Sequence, residues 1–167
     1  MGATIWPRAS MDELVSRLQQ DYPELSFIAG DAACWSPRDS HVYYILDDHA
    51  GVAGLLHELA HALLGHTAYA SDLDLLKKEV AAWEKAISLA ELYGLQLDGN
   101  HIQDCLDSYR DWVHRRSKCP TCRVNGLQTT IERYSCLNCG HHWRVSTSRL
   151  CRPYRRSKMP TKEKSRP

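Results

Sequence analysis

No run of 18 or more apolar residues occurs in the 167-residue sequence, so a membrane-spanning helix is not expected. The opening stretch MGATIWPRAS has neither the basic nor the apolar region of a secretory signal, and Trp6 stands where a myristoylation signal carries Ser or Thr. Acidic residues nearly vanish after position 113. Residues 114–167 hold 2 Asp and Glu against 14 Lys and Arg, whereas residues 1–113 hold 18 against 7. The formal net charge of +1 therefore hides an acidic body and a basic end. The basic end is expected to track nucleic-acid phosphates, to act as a solubilising tail, or to fold back on the acidic body. No disulfide pattern joins Cys34, Cys105 and Cys151, so a reducing, cytoplasmic setting is expected.

What is present begins with His57-Glu58-Leu59-Ala60-His61, a match to the H-E-x-x-H metal-hydrolase pattern. On a helix, residues i and i+4 share a face, so both imidazoles can bind one Zn²⁺. Glu58 is then placed to act as general base on water. The flanks Ala50-Gly51-Val52-Ala53-Gly54-Leu55-Leu56 and Ala62-Leu63-Leu64 are apolar. The motif therefore sits in a buried helix, where two His and a Glu need a reason, and a metal supplies one.

A catalytic zinc usually has three protein ligands. The metzincin pattern, H-E-x-x-H-x-x-G-x-x-H, fails here because Leu64 and Thr67 occupy its Gly and His positions; Gly65 and His66 are one residue out of step. The alternative is a Glu on the next helix, Ser71 to Tyr93, capped by Ser71 or Asp72 and ended by Gly94. Its apolar stripe is expected at Leu73, Leu76, Val80, Trp83, Ile87 and Ala90, with Glu79 beside it and Glu84 and Glu91 as rivals. His66, Tyr69 and Tyr109 are possible oxyanion stabilisers, with ordinary packing the simpler role for each.

Cys119-Pro120-Thr121-Cys122 and Cys136-Leu137-Asn138-Cys139 form two C-x2-C knuckles separated by thirteen residues. Four thiolates so spaced are expected to enclose a structural zinc in a zinc ribbon. Leu127 to Tyr134 and the alternating Trp143 and Val145 supply its strands. His141, His142, Trp143 and Arg144 could serve recognition, or the ribbon could simply cap the preceding helix.

The expected fold class is α+β: a small mixed sheet packed on the HExxH and Glu-bearing helices, followed by a four-cysteine zinc ribbon. Ser10 with Glu13 reads as a capping box for a first helix, Met11 to about Gln20. Leu25–Ala29 reads as a strand, and Ala32–Ser36 with His41–Leu46 as a hairpin. Helices are expected at about 49–65, 71–93 and 97–116, the last burying Ile102, Leu106, Tyr109 and Val113. His41-Val42-Tyr43-Tyr44 is the candidate edge strand for holding an extended peptide. The domains expected are 1–116, a metallopeptidase-like body; 117–146, the ribbon; and 147–167, a basic disordered tail.

The run HELAHALLGH, followed by Glu79-x-x-Ala82-Trp83, resembles the ImmA/IrrE family of zinc metallopeptidases over about residues 10–95. The family often carries E-x-E-A on its second helix; here Ala81 replaces the second Glu. The resemblance implies a gluzincin-type site with His57, His61 and Glu79 on a catalytic zinc and Glu58 as base. It also implies a regulatory peptidase acting on specific protein substrates, among them helix-turn-helix repressors.

The expected cofactors are two Zn²⁺, one catalytic and one structural, and the expected partners are a protein substrate and DNA touching the ribbon and tail, with no membrane. Two other readings compete. A SprT-like DNA-associated protease also joins HExxH to a ribbon but takes a third His downstream; no His lies between His66 and His101. A non-catalytic nucleic-acid-binding or adaptor protein would keep the HExxH site without turnover.

Overall fold

The computed structural model describes residues 8–46, 50–146 and 155–157. Among these the fold is mixed α and β. The first part runs α1 (Arg8–Asp21), β1 (Ser26–Ala29), β2 (Cys34–Ser36), β3 (His41–Tyr44), α2 (Ala50–Leu63), α3 (Asp72–Leu92) and α4 (Gly99–Ser117). Four short strands follow: β4 (Leu127–Thr130), β5 (Arg133–Ser135), β6 (His142–Val145) and β7 (Arg155–Ser157). No helix among the described residues is long and apolar enough to cross a membrane.

The chain divides into two compact units, residues 1–69 with 75–106, and residues 70–74 with 107–167. The expected boundary at 116/117 thus falls elsewhere: the end of α4 and the start of α3 group with the cysteine segment. The cause is burial of charge. Arg116 and Asp72 are 0% and 2% exposed, with Arg116 Nε 3.2 Å from Asp72 Oδ2. A charge so buried needs partners. Asp72 accepts from the Tyr134 hydroxyl and from Gln128 Nε2 (3.2 Å), while its own N–H donates to Gln128 Oε1 (2.8 Å). Arg116 donates to the Ile131 carbonyl (3.0 Å) and lies over the Trp112 ring.

In the first unit, β3 is the central strand of three, parallel to β1 and antiparallel to β2. The expected edge position of His41–Tyr44 is therefore corrected: Val42 and Tyr44 are buried, and the edges are β1 and β2. Chain order misleads here because β1 reaches past β2 to pair with β3. α2 packs on β2 and β3 through a nearly continuous apolar surface, with Leu55, Leu56 and Leu59 fully buried. Each such side chain contributes about 1.5–3 kcal/mol on leaving water.

α1 begins at Arg8, so Ser10 lies inside the helix rather than at its cap. α3 begins as expected: Ser71 Oγ accepts the Asp74 N–H at 3.1 Å, the N-cap bond, which leaves Asp72 for the buried pair. The buried face of α3 differs from the expected stripe. Leu75, Glu79, Ala82, Trp83, Ala86, Leu89, Ala90 and Tyr93 face inward, while Leu73 and Ile87 are exposed. Glu79 sits in the middle of that face, so a reading that follows only apolar residues rotates the helix away from it. On α4, Ile102 and Leu106 are buried as expected, but Trp112 and Arg116 replace Tyr109 and Val113 further on.

In the second unit, β4, β5, β6 and β7 form a four-stranded sheet in that order, each neighbouring pair antiparallel. Trp143 and Val145 are buried and alternate with exposed His142 and Arg144. The expected disorder of 147–167 is corrected at Arg155–Ser157, which pairs with β6. Backbone pairing along an open strand edge needs no side-chain pattern, so composition did not signal it. The rest of that segment lies outside the described residues.

Candidate metal centre

His57 and His61 lie one helical turn apart on α2, and Glu79 comes from the second turn of α3. Their inward-facing atoms converge. His57 Nε2 is 3.1 Å from His61 Nε2 and 3.2 Å from Glu79 Oε2, and His61 Nε2 is 3.7 Å from Glu79 Oε1. Ligands about 2.1 Å from a tetrahedral metal stand about 3.4 Å from one another, so this spacing fits three corners of one coordination shell. Of these groups, His57 Nδ1 is buried without a hydrogen bond, and Glu79 Oε2 is faced by His57 Nε2 at 3.2 Å. A buried carboxylate is destabilising unless hydrogen-bond donors or a cation face it. Burial alone would raise the Glu79 pKa, but its hydrogen bonds and charge interactions with His57 and His61 outweigh that and pull it down to about 2. The site is thus a buried two-nitrogen, one-oxygen set that fits a metal ion such as zinc. The Trp83 ring covers one side of His57, with 4.2 Å between centroids.

Glu58, next to His57, takes no part in that set. Its Oε2 accepts the backbone N–H of Trp35 at 2.7 Å, so the strand β2 aims the carboxylate. Burial pushes its pKa up, against the lowering effect of His57, His61 and the Trp35 N–H. Raised affinity for a proton next to a metal set is the property a general base needs. His66, just past α2, brings its Nδ1 within 2.8 Å of His61 Nδ1, and its carbonyl accepts the Trp35 indole N–H at 3.1 Å.

The second set is Cys119, Cys122, Cys136 and Cys139. The Sγ atoms of Cys119 and Cys139 are 3.7 Å apart and those of Cys122 and Cys136 are 3.4 Å apart. Metal–sulfur bonds of about 2.3 Å place tetrahedral thiolates about 3.8 Å apart, close to this arrangement. The two knuckles repeat one backbone pattern. Arg123 N–H donates to the Cys119 carbonyl and Gly140 N–H to that of Cys136, while the Cys119 and Cys136 N–H groups reach Val124 and His141. Both turns place a residue in the left-handed region, Arg123 at φ 63° and Gly140 at φ 69°. Cys122 is drawn down to about 6 by the Val124 N–H, Asn138 and Cys136, which favours a thiolate.

The structure thus brings together all seven residues expected to hold metal. Glu84 and Glu91, the rivals of Glu79, are exposed. Tyr69 is half-buried in the loop after α2, and Tyr109 belongs to the other compact unit. Cys34 and Cys105 are in no disulfide; Cys151 lies outside the described residues. Two contributors were not foreseen, Trp35 and Trp83. Trp83 was legible only as an apolar position, and the role of Trp35 rests on a backbone N–H, which no residue type announces. Comparison with protein-family models, with curated proteins and with solved structures found no match to this chain.

Proposed function

We propose that this protein is a zinc-dependent endopeptidase of the ImmA/IrrE type, with His57, His61 and Glu79 holding a catalytic zinc and Glu58 as general base. The observation that carries the reading is the convergence of two imidazole nitrogens and a buried carboxylate beside a second, separately held carboxylate. A zinc ion in that set supplies Lewis acidity, lowering the pKa of water and polarising a carbonyl. Glu58 accepts a proton from the attacking water and delivers it to the leaving amine, and the Trp35 N–H keeps its carboxylate aimed through both transfers. The edge strand β2, whose Trp35 N–H already points at Glu58, is where an extended peptide would lie. A carboxylate in the third position favours this reading over a SprT-like one, which takes a His.

The four cysteines form a structural zinc ribbon in this reading. Its Arg144 is exposed and paired with Glu132 at 2.7 Å, and its basic flank suits DNA phosphates, so a DNA-bound helix-turn-helix repressor is the substrate class proposed. The test compares new protein N-termini in cells expressing the wild type with those in cells expressing Glu58→Gln. Cleavages that depend on Glu58 support the reading. A proteome with no Glu58-dependent new terminus rejects catalysis and leaves a binding protein.

A further inference from the structure

The two histidines of α2 have unlike surroundings. His57 is packed by Trp83, and its Nδ1 has no hydrogen bond. His61 has a partner of its own in His66, at 2.8 Å between Nδ1 atoms. A bond between two ring nitrogens needs a proton on one of them. When Nε2 of His61 gives its lone pair to a metal, the neutral ring carries its proton on Nδ1. His61 is then the donor, His66 the acceptor, and His66 keeps its own proton on Nε2.

The backbone shows how the pair is built. α2 ends in a Schellman turn: Gly65 N–H donates to the Ala62 carbonyl and His66 N–H to the His61 carbonyl, both at 3.0 Å, with Gly65 at φ 65°. Such a turn carries the residue after the left-handed glycine back against the residue five before it, where an apolar contact is usual. Here the two residues are imidazoles. The spacing His61-x-x-x-Gly65-His66, one residue out of step for delivering a third metal ligand, is in step for delivering a partner to the second one. Trp35 braces the arrangement, its indole N–H on the His66 carbonyl and its backbone N–H on Glu58.

We infer that His66 is a positioning residue: it accepts the Nδ1 proton of His61, and so fixes the tautomer and ring plane of that metal ligand. The inference rests on the metal reading of His57, His61 and Glu79, and it does not need peptidase activity. Outer partners of metal-bound histidines change affinity by about 10- to 100-fold when removed.

The test uses the full-length protein loaded with zinc, titrated with a chelator and followed by native mass spectrometry. Wild type, Glu79→Ala, His66→Phe, His66→Ala and His66→Asn are compared. Asn places a side-chain oxygen near the Nδ1 position and restores an acceptor. The expected result is two zincs in wild type and one in Glu79→Ala. The same site should be about 10- to 100-fold weaker in the Phe and Ala variants and close to wild type in Asn. A purely structural role would lower the melting temperature without rescue by Asn. Wild-type affinity in Phe or Ala, with Glu79→Ala still losing one zinc, overturns the positioning role alone. Two zincs persisting in Glu79→Ala, or one zinc in wild type, overturns the metal reading and this inference with it. Should the Phe and Ala variants fail to fold, imidazole ¹⁵N spectra of the zinc-loaded wild type decide: His66 protonated on Nε2 and His61 on Nδ1 is expected, and the reverse overturns the proposal.

Discussion

At the scale of single residues, Glu58 combines its proposed task with a liability. Burial raises its pKa above the ordinary 4.5, so the folded protein holds that proton more tightly than the unfolded chain does. This contribution to stability is present at low pH and is lost as pH rises through the raised value. At neutral pH the ionised carboxylate therefore works against the fold. Glu58→Gln, whose amide oxygen can still accept the Trp35 N–H, is expected to abolish cleavage while raising the melting temperature of chelator-treated protein at pH 7; a lowered melting temperature would contradict this. The acid limb of kcat/KM should likewise lie above the range of an ordinary carboxylate. Arg123 is a second such position. It holds a left-handed backbone at φ 63° where the matching knuckle has Gly140, so Arg123→Gly should stabilise by about 1 kcal/mol, read by thermal unfolding. Among residues, the ligands were the legible part of the sequence, because ligand chemistry restricts residue type and spacing. Periodicity left Glu79 with Glu84 and Glu91 as rivals, the family resemblance singled it out, and burial separates it from both.

At the scale of elements, the helices follow from the pattern more closely than their faces do. α2, α3 and α4 lie within a few residues of where periodicity and caps put them. The buried side of α3 was misread because its centre is Glu79, a residue that hydropathy assigns to water. The sheet was legible as strands but not as an order, since the parallel pairing of β1 with β3 across β2 is a long-range choice that local pattern does not encode. Leu59 on α2 is fully buried, so Leu59→Ala should cost about 2–5 kcal/mol by denaturant unfolding. Gly65→Ala puts a Cβ on a left-handed residue and should cost about 1–2 kcal/mol. It should also loosen the His61–His66 contact, visible as weaker zinc retention. A Gly65→Ala variant as stable and as zinc-tight as wild type would argue against the turn as the placing device.

At the scale of the whole molecule, two compact units each carry one cluster of side chains that fit a metal ion. The clusters differ in kind: four sulfurs closed around one point, against two nitrogens and a carboxylate that leave a corner open. Cys136→Ser should therefore remove one zinc and lower the melting temperature of the second unit, monitored through Trp143 against Tyr134. Binding to DNA, if the basic residues serve it, should weaken steeply with salt. The charge split was plain in the composition, but the unit boundary was not. It is set by the buried Asp72–Arg116 pair, whose members are distant in sequence. That pair bears on how such a chain can be cut or recombined. A cut just before Cys119 keeps Arg116 with Asp72 but takes away the Tyr134 hydroxyl, Gln128 and the Ile131 carbonyl. Both charges then keep each other but lose the hydrogen bonds that satisfied them in the interior, which is costly. The cysteine segment is thus not a cassette that one protein could lend to another. Its interior is completed by an aspartate at the start of the helix that supplies Glu79, and the two stretches of sequence can change owners only together.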